Sequence, residues 1–508
     1  MVLPMVYLVV RALGAGAEVW ELLFRGRTLA ILARSVVLAA VVTGASTVIA
    51  VVLAWLTVRT DLPLRRWWAV LTILPLVIPS YVGAFLIIVG LGPRGMLQQF
   101  LEGPLGIERL PEIYGFPGAM LILTLLSYPY VLLTVRAALW RLDPALEEAS
   151  LSLGHGAWDT FRRVTLPLLR PAIAAGALLV ALYTLSDFGA VSLLRYETFT
   201  WAIYLQYEAA LDRTAASALS LVLVALALSI VFLEATSRGR ARYHRSTVGA
   251  VRRPATVRLG KWRWPALAFC GGIALFALAI PMAILVYWVV RGIAAGEALG
   301  QVWGVALNSA YVSGLAALAC VAAALPVAYL SVRHPGRISN LLERISYMGF
   351  ALPGIVIALA LVFFGANFVT PIYQTVALLI FAYMVLFLPT ALGAARASLL
   401  QVSPRVEEAA RSLGRTPLQT MAAITLPLVR QGVLSGAALV FLVTMKELPA
   451  TLLLSPIGFK TLATTTWAAS SEAFFAKAAA PALLIIAVSS LAVAIMSWQE
   501  RRGGSGSG

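Results

Sequence analysis

Eleven apolar runs, each about long enough to cross a bilayer, recur along this chain, and nothing else restricts its fold as much. A hydrocarbon core about 30 Å thick is spanned by roughly 20 helical residues. The runs fall near 29–57, 68–91, 117–140, 168–194 and 215–236, then near 264–290, 305–332, 345–366, 372–396, 428–454 and 478–498. Charged residues are 12% of the chain and hydrophobic residues 61%, with mean hydropathy +0.90. A soluble domain carries about twice that charged fraction. Inside lipid every backbone N–H and C=O must be satisfied within the chain, which leaves helices and closed barrels. No ten-residue alternation of the barrel kind occurs. The sequence therefore predicts an all-α polytopic membrane protein.

The net charge of +17 is not spread evenly. Arg59, Arg65 and Arg66 follow the first run, Arg333, Arg337 and Arg344 mark a later loop, and Arg501 and Arg502 mark the end. The stretch 237–263 carries nine basic residues and no acidic one. If each run crosses once, all these groups share one side, which the positive-inside rule assigns to the cytoplasm. That accounts for the charge and excludes a nucleic-acid partner. The opposite loops, 92–116 and 195–214, are longer and mixed in charge. Cys270 and Cys320 lie in apolar runs and read as small buried side chains. His155, His244 and His334 share no ligand spacing and read as solvated surface. Tyr and Trp residues near run ends, among them Trp67, Trp68, Tyr128, Tyr130, Trp262, Trp264 and Trp498, read as interfacial anchors. Pro75, Pro79, Pro129, Pro353 and Pro389 are expected to kink helices. No cleavable signal peptide is apparent, and Gly503–Gly508 reads as an engineered linker remnant.

A polar segment is written twice. Over the 24 residues from Glu147 to Arg170, 12 recur 260 positions later without a gap. The repeat extends outward: Ala54–Arg59 matches Ala328–Arg333, and Leu74-Pro75 is paired with Leu352-Pro353. Equivalent loops lie on one side, so the halves form a parallel repeat about an axis along the membrane normal. In each copy Asp143-Pro144 or Ser403-Pro404 supplies an N-cap and a first-turn proline. Glu147, Glu148, Glu407 and Glu408 follow where negative charge suits the helix dipole. Gly154 and Gly414 end the short helix in the left-handed conformation. A second short helix leads to Leu166-Pro167 or Leu426-Pro427, which opens the next run. Each half thus presents a helix–turn–helix at the membrane surface, joined rigidly to a span.

This spacing, Glu-Ala-Ala (or Ser), three residues, Gly, nine residues, Ile or Val, one residue, Leu-Pro, resembles the EAA loop of permease subunits of bacterial ABC importers. The resemblance implies two tandem six-helix-type (type I, MetI-like) transmembrane domains with about 11–12 spans. It implies that Glu147, Glu148, Ala149 and Gly154, with Glu407, Glu408, Ala409 and Gly414, couple the chain to cytoplasmic ATPase subunits. Ser150 stands where Ala is usual, and its small size predicts little effect. The four lysines, Lys261, Lys446, Lys460 and Lys477, lie in no Gly-x-x-x-x-Gly-Lys-Ser/Thr loop. ATP and magnesium are therefore expected on a partner, with no cofactor in this chain. The implied partners are two copies of the ATPase and one periplasmic or lipid-anchored solute-binding protein.

Further segments resemble the fused permeases of ferric-iron importers. They include Ala54–Pro63, Pro75–Ala84, Ser186–Val191 with Thr198-Phe199-Thr200, and Lys446–Thr451. Relatives on the same plan import thiamine, phosphonates, sulfate or polyamines. Asp187 and Glu447, 260 residues apart and about 20 after each Leu-Pro, are costly in a span and are candidates for the path or its gate. Their alternative is a local role, as a helix cap or partner of Lys446 or Arg195. No metal ligand set is assigned. An ion-coupled secondary transporter is the alternative of another class, but it leaves the paired loops without a purpose. No nucleophile, base or metal cluster suggests an enzyme.

The expected layout is a first transmembrane domain over 1–236 with its loop at 143–167, and a basic cytoplasmic linker over 237–263. A second domain follows over 264–502 with its loop at 403–427. Pro4–Arg11 resembles Pro281–Arg291 but has a much shorter apolar run before its arginine, so the first helix is expected to be truncated or to begin upstream.

Overall fold

A computed structural model describes residues 3–14, 21, 24–210, 212–237, 256–297 and 300–504. Most of the basic linker, with His244, and the tail at 505–508 lie outside the described residues. Among the described residues the chain is helical, apart from one isolated bridge between Thr60 and Val257.

The helices run as follows. α1 is Leu3–Gly14, and α2, Gly26–Arg59, is the first long span. A short α3, Arg65–Leu71, precedes α4, Ser80–Leu91, and α5, Met96–Leu105. α6 is Phe116–Arg141. The polar repeat forms α7, Pro144–Ser152, and α8, Ala157–Thr160, followed by the span α9, Leu166–Ser186. α10, Gly189–Leu193, α11, Phe199–Glu208, and α12, Arg213–Ser237, complete the first half. The second half opens with α13, Arg263–Ala274, and α14, Ile280–Ala294. Its counterparts of α2 to α4 are α15, Gly300–Arg333, α16, Arg337–Tyr347, and α17, Gly354–Phe368. α18, Val376–Gln401, α19, Pro404–Ser412, α20, Pro417–Thr420, and α21, Leu426–Met445, match α6 to α9. α22, Pro449–Leu454, α23, Leu462–Ser471, and α24, Phe475–Gly504, follow. Nine helical stretches among the described residues have the length and composition of a span, and Gly354–Phe368 and Phe475–Leu491 are shorter apolar helices. Each of the eleven expected runs has its counterpart.

Two expected spans are broken. The run at 68–91 divides at Pro79, and the run at 345–366 divides at Pro353. Each proline sits at the N-cap of the next helix with extended backbone. A residue before proline is steered away from the helical region, so the helix ends there. The equivalent of Pro353 is thus Pro79, and the offset stays at 274 from α2 through α4. Pairing Leu74-Pro75 with Leu352-Pro353 is out of register by four residues. Leu74–Val77 is instead a 3₁₀ turn matching Met348–Ala351.

The described chain divides into two compact units. One comprises Arg25–Ala202 and Ala225–Tyr287; the other comprises Met1–Phe24, Ile203–Val224 and Trp288–Gly508. Each unit therefore contains the leading helix of the other repeat. In the first, the π turn Leu275–Ala279 that follows α13 packs on the 3₁₀ turn Leu74–Val77 and on α6. In the second, α1 packs on α17, with Tyr7 stacked on Phe363 at 5.2 Å.

Within each unit three spans form the core, α2, α6 and α9 in one and α15, α18 and α21 in the other. Small residues let them approach. Ala317, Cys320, Ala324 and Ala328 line one face of α15 against Leu388, Ala391, Leu392 and Ala395 of α18. In lipid such close packing substitutes for hydrophobic burial as the source of association. Gly176 of α9 and Gly436 of α21 mark close crossings: a Cβ would come within 2.6 Å of the Val131 backbone in one and 2.9 Å of the Ala394 side chain in the other. Cys270 and Cys320 are buried free thiols, as expected. Tyr128 differs from expectation. It is fully buried, and its hydroxyl donates to the Thr72 carbonyl at 2.7 Å, so it is a core residue and not an interfacial anchor. Trp67, Trp262 and Trp264 are exposed.

Candidate functional site: the paired surface loops

The two polar repeats fold alike. Pro144 and Pro404 open α7 and α19 in the first turn. Asp143 caps α7 by accepting the Ala145 N–H at 3.0 Å, whereas Ser403 makes no such bond. Gly154 and Gly414 both have φ +84°, and open space surrounds them. The amide after each glycine donates back five residues, His155 to Ser150 and Arg415 to Ala410, both at 3.2 Å. This is a Schellman ending, and its left-handed residue is why glycine stands there. Glu148, Ala149, Glu408 and Ala409 are exposed. So are Leu153 and Leu413, at 80% and 85%, and Trp158 at 71%. Together they give each loop an outward face of apolar side chains beside a carboxylate.

The second short helix does not stop. α8 continues into α9 as one helix, Trp158–Ser186, and Met421–Met445 is continuous in the second half. Each contains one π turn, Phe161–Thr165 or Met421–Thr425, closed by Leu166 N–H to Phe161 O or Leu426 N–H to Met421 O. Proline has no N–H, and its ring clashes with the carbonyl four residues back. The wider turn immediately ahead of Pro167 and Pro427 accommodates that ring without breaking the helix.

Glu147 and Glu407 point the other way from Glu148 and Glu408. The Glu407 side chain is 1% exposed, and Arg333 at the end of α15 grips it through Nε at 3.1 Å and Nη2 at 3.0 Å. The same Nη2 donates to the Val402 carbonyl at 2.9 Å, and Thr425 Oγ1 donates to Glu407 at 3.1 Å. In the first unit Arg59 Nη1 lies 3.3 Å from Glu147, Arg59 Nη2 is 3.4 Å from the Leu139 carbonyl, and Thr165 Oγ1 donates to Glu147 at 2.8 Å. Arg59 and Arg333 are therefore buried ion-pair partners and not loop charges. Their topology-rule reading concealed this; the signal available was their repetition at matched positions 274 apart.

Ser150 also has a role that its size does not suggest. It is buried and shares a hydrogen bond with Thr160 Oγ1 at 3.0 Å. In the second half Ala410 takes its place, and the buried Thr420 hydroxyl has no hydrogen-bond partner among the described residues.

Asp187 and Glu447 each lie in a break, Asp187 directly after α9 and Glu447 directly after α21. Asp187 Oδ1 accepts the Ala190 and Val191 amides at 2.9 and 3.3 Å, opening α10. Glu447 Oε1 accepts the Ala450 amide at 3.1 Å, opening α22, and it covers Gly354, where a Cβ would lie 2.8 Å from it. Runs read as continuous over 168–194 and 428–454 thus end at Ser186 and Met445. Arg195 lies over the Tyr114 ring at 5.7 Å. Beyond the break, Ser35 accepts the Phe199 amide at 3.2 Å and Ser309 accepts the Leu462 amide at 2.7 Å, the same bond in both halves. Among the described residues no three His, Cys, Asp or Glu side chains converge as a metal site.

Two helical surface loops, each fused to a span and each repeated with its glycine and π turn, define a membrane-embedded protein of duplicated design. The chain matches the family described as binding-protein-dependent transport system inner membrane component, over residues 46–242 and again over 316–503. It belongs to that family and is a multi-pass inner-membrane permease of the ABC type, not an enzyme. It is 36% identical over 500 residues to the Fe(3+)-transport system permease protein FbpB 2 of Haemophilus influenzae, covering 97% of this chain and 95% of that one. It is 27% identical to the ferric transport system permease protein FbpB of Actinobacillus pleuropneumoniae, over 86% of this chain and 68% of the relative. The molybdenum transport system permease protein ModB of Escherichia coli K12 is 34% identical over 181 residues, 34% of this chain and 78% of the relative.

Proposed function

We propose that this permease forms the path for ferric iron in an ATP-driven importer. The observation that carries the cargo is the 36% identity to an Fe(3+) permease running end to end, at 97% and 95% coverage. In this reading two copies of a cytoplasmic ATPase dock on the two surface loops and supply ATP and magnesium, and one solute-binding protein delivers iron on the opposite side. Glu148, Ala149, Glu408 and Ala409, with the exposed leucines beside Gly154 and Gly414, form the docking face. The basic loop ends support a cytoplasmic position for that face. The layout of two transmembrane domains joined by a basic linker at 237–263 belongs to the same proposal. Asp187 and Glu447 set the outer ends of α9 and α21 and border the path.

Uptake of radiolabelled ferric iron in cells with and without the gene, the partner subunits being present, tests this reading. Uptake that needs the gene, and that fails when the residues around Gly154 and Gly414 are disrupted, supports both cargo and coupling. Uptake unchanged by deletion removes iron and directs the search to thiamine, phosphonate or another small solute.

A further inference from the structure

We propose that Glu147 with Arg59, and Glu407 with Arg333, are positioning residues that make each coupling helix, α7 or α19, move as one body with the end of α2 or α15. The proposal rests on the importer reading and assigns these carboxylates a role away from the ATPase surface. Adjacent glutamates divide the work: Glu408 is exposed, while Glu407 is enclosed by Arg333 and Thr425. A group 1% exposed within its own chain cannot be a main contact for another subunit.

Four pieces of chain meet at each lock. They are the coupling helix, the C-terminal end of α2 or α15, the carbonyl of Leu139 or Val402 near the end of α6 or α18, and the π turn that leads into α9 or α21. Arg–carboxylate contacts made through two nitrogens fix orientation as well as distance. A push on the coupling helix is therefore delivered to three spans together instead of being absorbed by bending at the loop. Thr165 and Thr425 tie the carboxylate to the π turn that leads into α9 or α21, where the hydrogen bonding already departs from the α pattern. Both halves keep the Arg, the Glu and the Thr, although seven of the nine residues from Ala157 to Thr165 differ from those at Pro417 to Thr425.

The locks are unequal. Arg333 makes three contacts with Glu407 between 3.0 and 3.2 Å. Arg59 makes one ion-pair contact at 3.3 Å, its Nε has no hydrogen bond among the described residues, and Glu147 is 18% exposed. The second half is the stiffer lever, so its loss matters more.

The test uses the full complex of permease, ATPase and binding protein reconstituted in lipid. The quantities read are binding-protein-stimulated over basal ATP hydrolysis, and ATP consumed per ferric ion delivered. Glu407→Gln is expected to lower the stimulation ratio and raise ATP per ion by roughly fivefold or more, the scale of a typical coupling energy between sites. Glu147→Gln is expected to give the same change to a smaller degree. Glu408→Gln, on the docking face, is expected to reduce co-purification of the ATPase instead. Should Glu407→Gln fail to assemble, the apolar pair Arg333→Met with Glu407→Leu is read in its place, because replacing both members of a buried pair spares the fold while removing the link. An assembled apolar-pair complex with low stimulation supports the lock. Either variant assembled with wild-type stimulation and wild-type ATP per ion overturns it, showing the pair to be packing alone. The wild-type complex carries the importer reading by itself: a failed importer shows in the wild type, and a failed lock only in the variants.

Discussion

The difference between Ser150 and Ala410 gives a reciprocal pair of predictions. Ser150→Ala leaves the Thr160 hydroxyl buried without its partner and is expected to cost about 1 kcal/mol. Ala410→Ser offers a partner to the Thr420 hydroxyl and is expected to raise stability by a similar or smaller amount. Thermal unfolding of the solubilised permease reads both; equal and negligible shifts would count against the assignment. Gly154→Ala and Gly414→Ala force a side chain into φ +84° and are expected to cost about 1–2 kcal/mol each, by the same measurement. Removing one charge of the tighter lock, as in Arg333→Met alone, leaves Glu407 buried and uncompensated, at about 3–5 kcal/mol. At this scale the glycines were legible in the sequence, because a left-handed cap is a local property, whereas the outward face was legible only in part: Glu147 and Glu407 turn inward and the exposed Leu153, Leu413 and Trp158 carried no signal of their own. The arginines were not: charge at a run's end looks the same whether it meets water or a carboxylate 74 residues later.

Among the elements, hydropathy located every span but none of the breaks within spans. Averages over about 20 residues pass over a single Pro79 or Asp187, whereas backbone geometry turns on it. The local role weighed for Asp187 and Glu447, capping, is what their hydrogen bonds describe. Alanine at each is expected to destabilise the break by about 1 kcal/mol. The role at the path is a separate question: a double alanine variant that transports iron at the full rate would remove it. The helix crossings give a sharper expectation. Gly176→Val or Gly436→Val puts side-chain atoms where a Cβ alone already meets its neighbour, so the three-span core of that unit cannot close. Size-exclusion of the detergent extract should show loss of the monodisperse peak, while Gly44→Val, in open space on α2, should leave it intact. One pairing fell outside any sequence rule. Arg136 donates to the Ala69 carbonyl at 2.7 Å, and its equivalent Arg396 pairs with Glu343 at 3.0 Å, so the same position fastens the short surface helix by different chemistry in each half.

For the whole molecule, the exchange of leading helices sets how the chain can be divided. The unit built on Arg25–Ala202 also needs Ala225–Tyr287, and the other needs Met1–Phe24. Chains 1–250 and 251–508, produced separately, are each expected to be degraded. Produced together they are expected to yield a stable permease, read by co-purification through a tag on one of them. Stable accumulation of either alone would contradict the exchange. The repeat announced two halves, but it could not show which half each leading helix joins, since that depends on packing between segments far apart in sequence.

The offset between the halves falls from 274 at α4 and α17 to 260 at α6 and α18, so the first half alone carries 14 additional residues there, with α5 among them. A permease assembled from two identical chains would display every such insertion twice. It would also have to accept Ser150, or the looser lock of Glu147, in both positions or in neither. Joining the copies in one gene frees each half to vary without its twin.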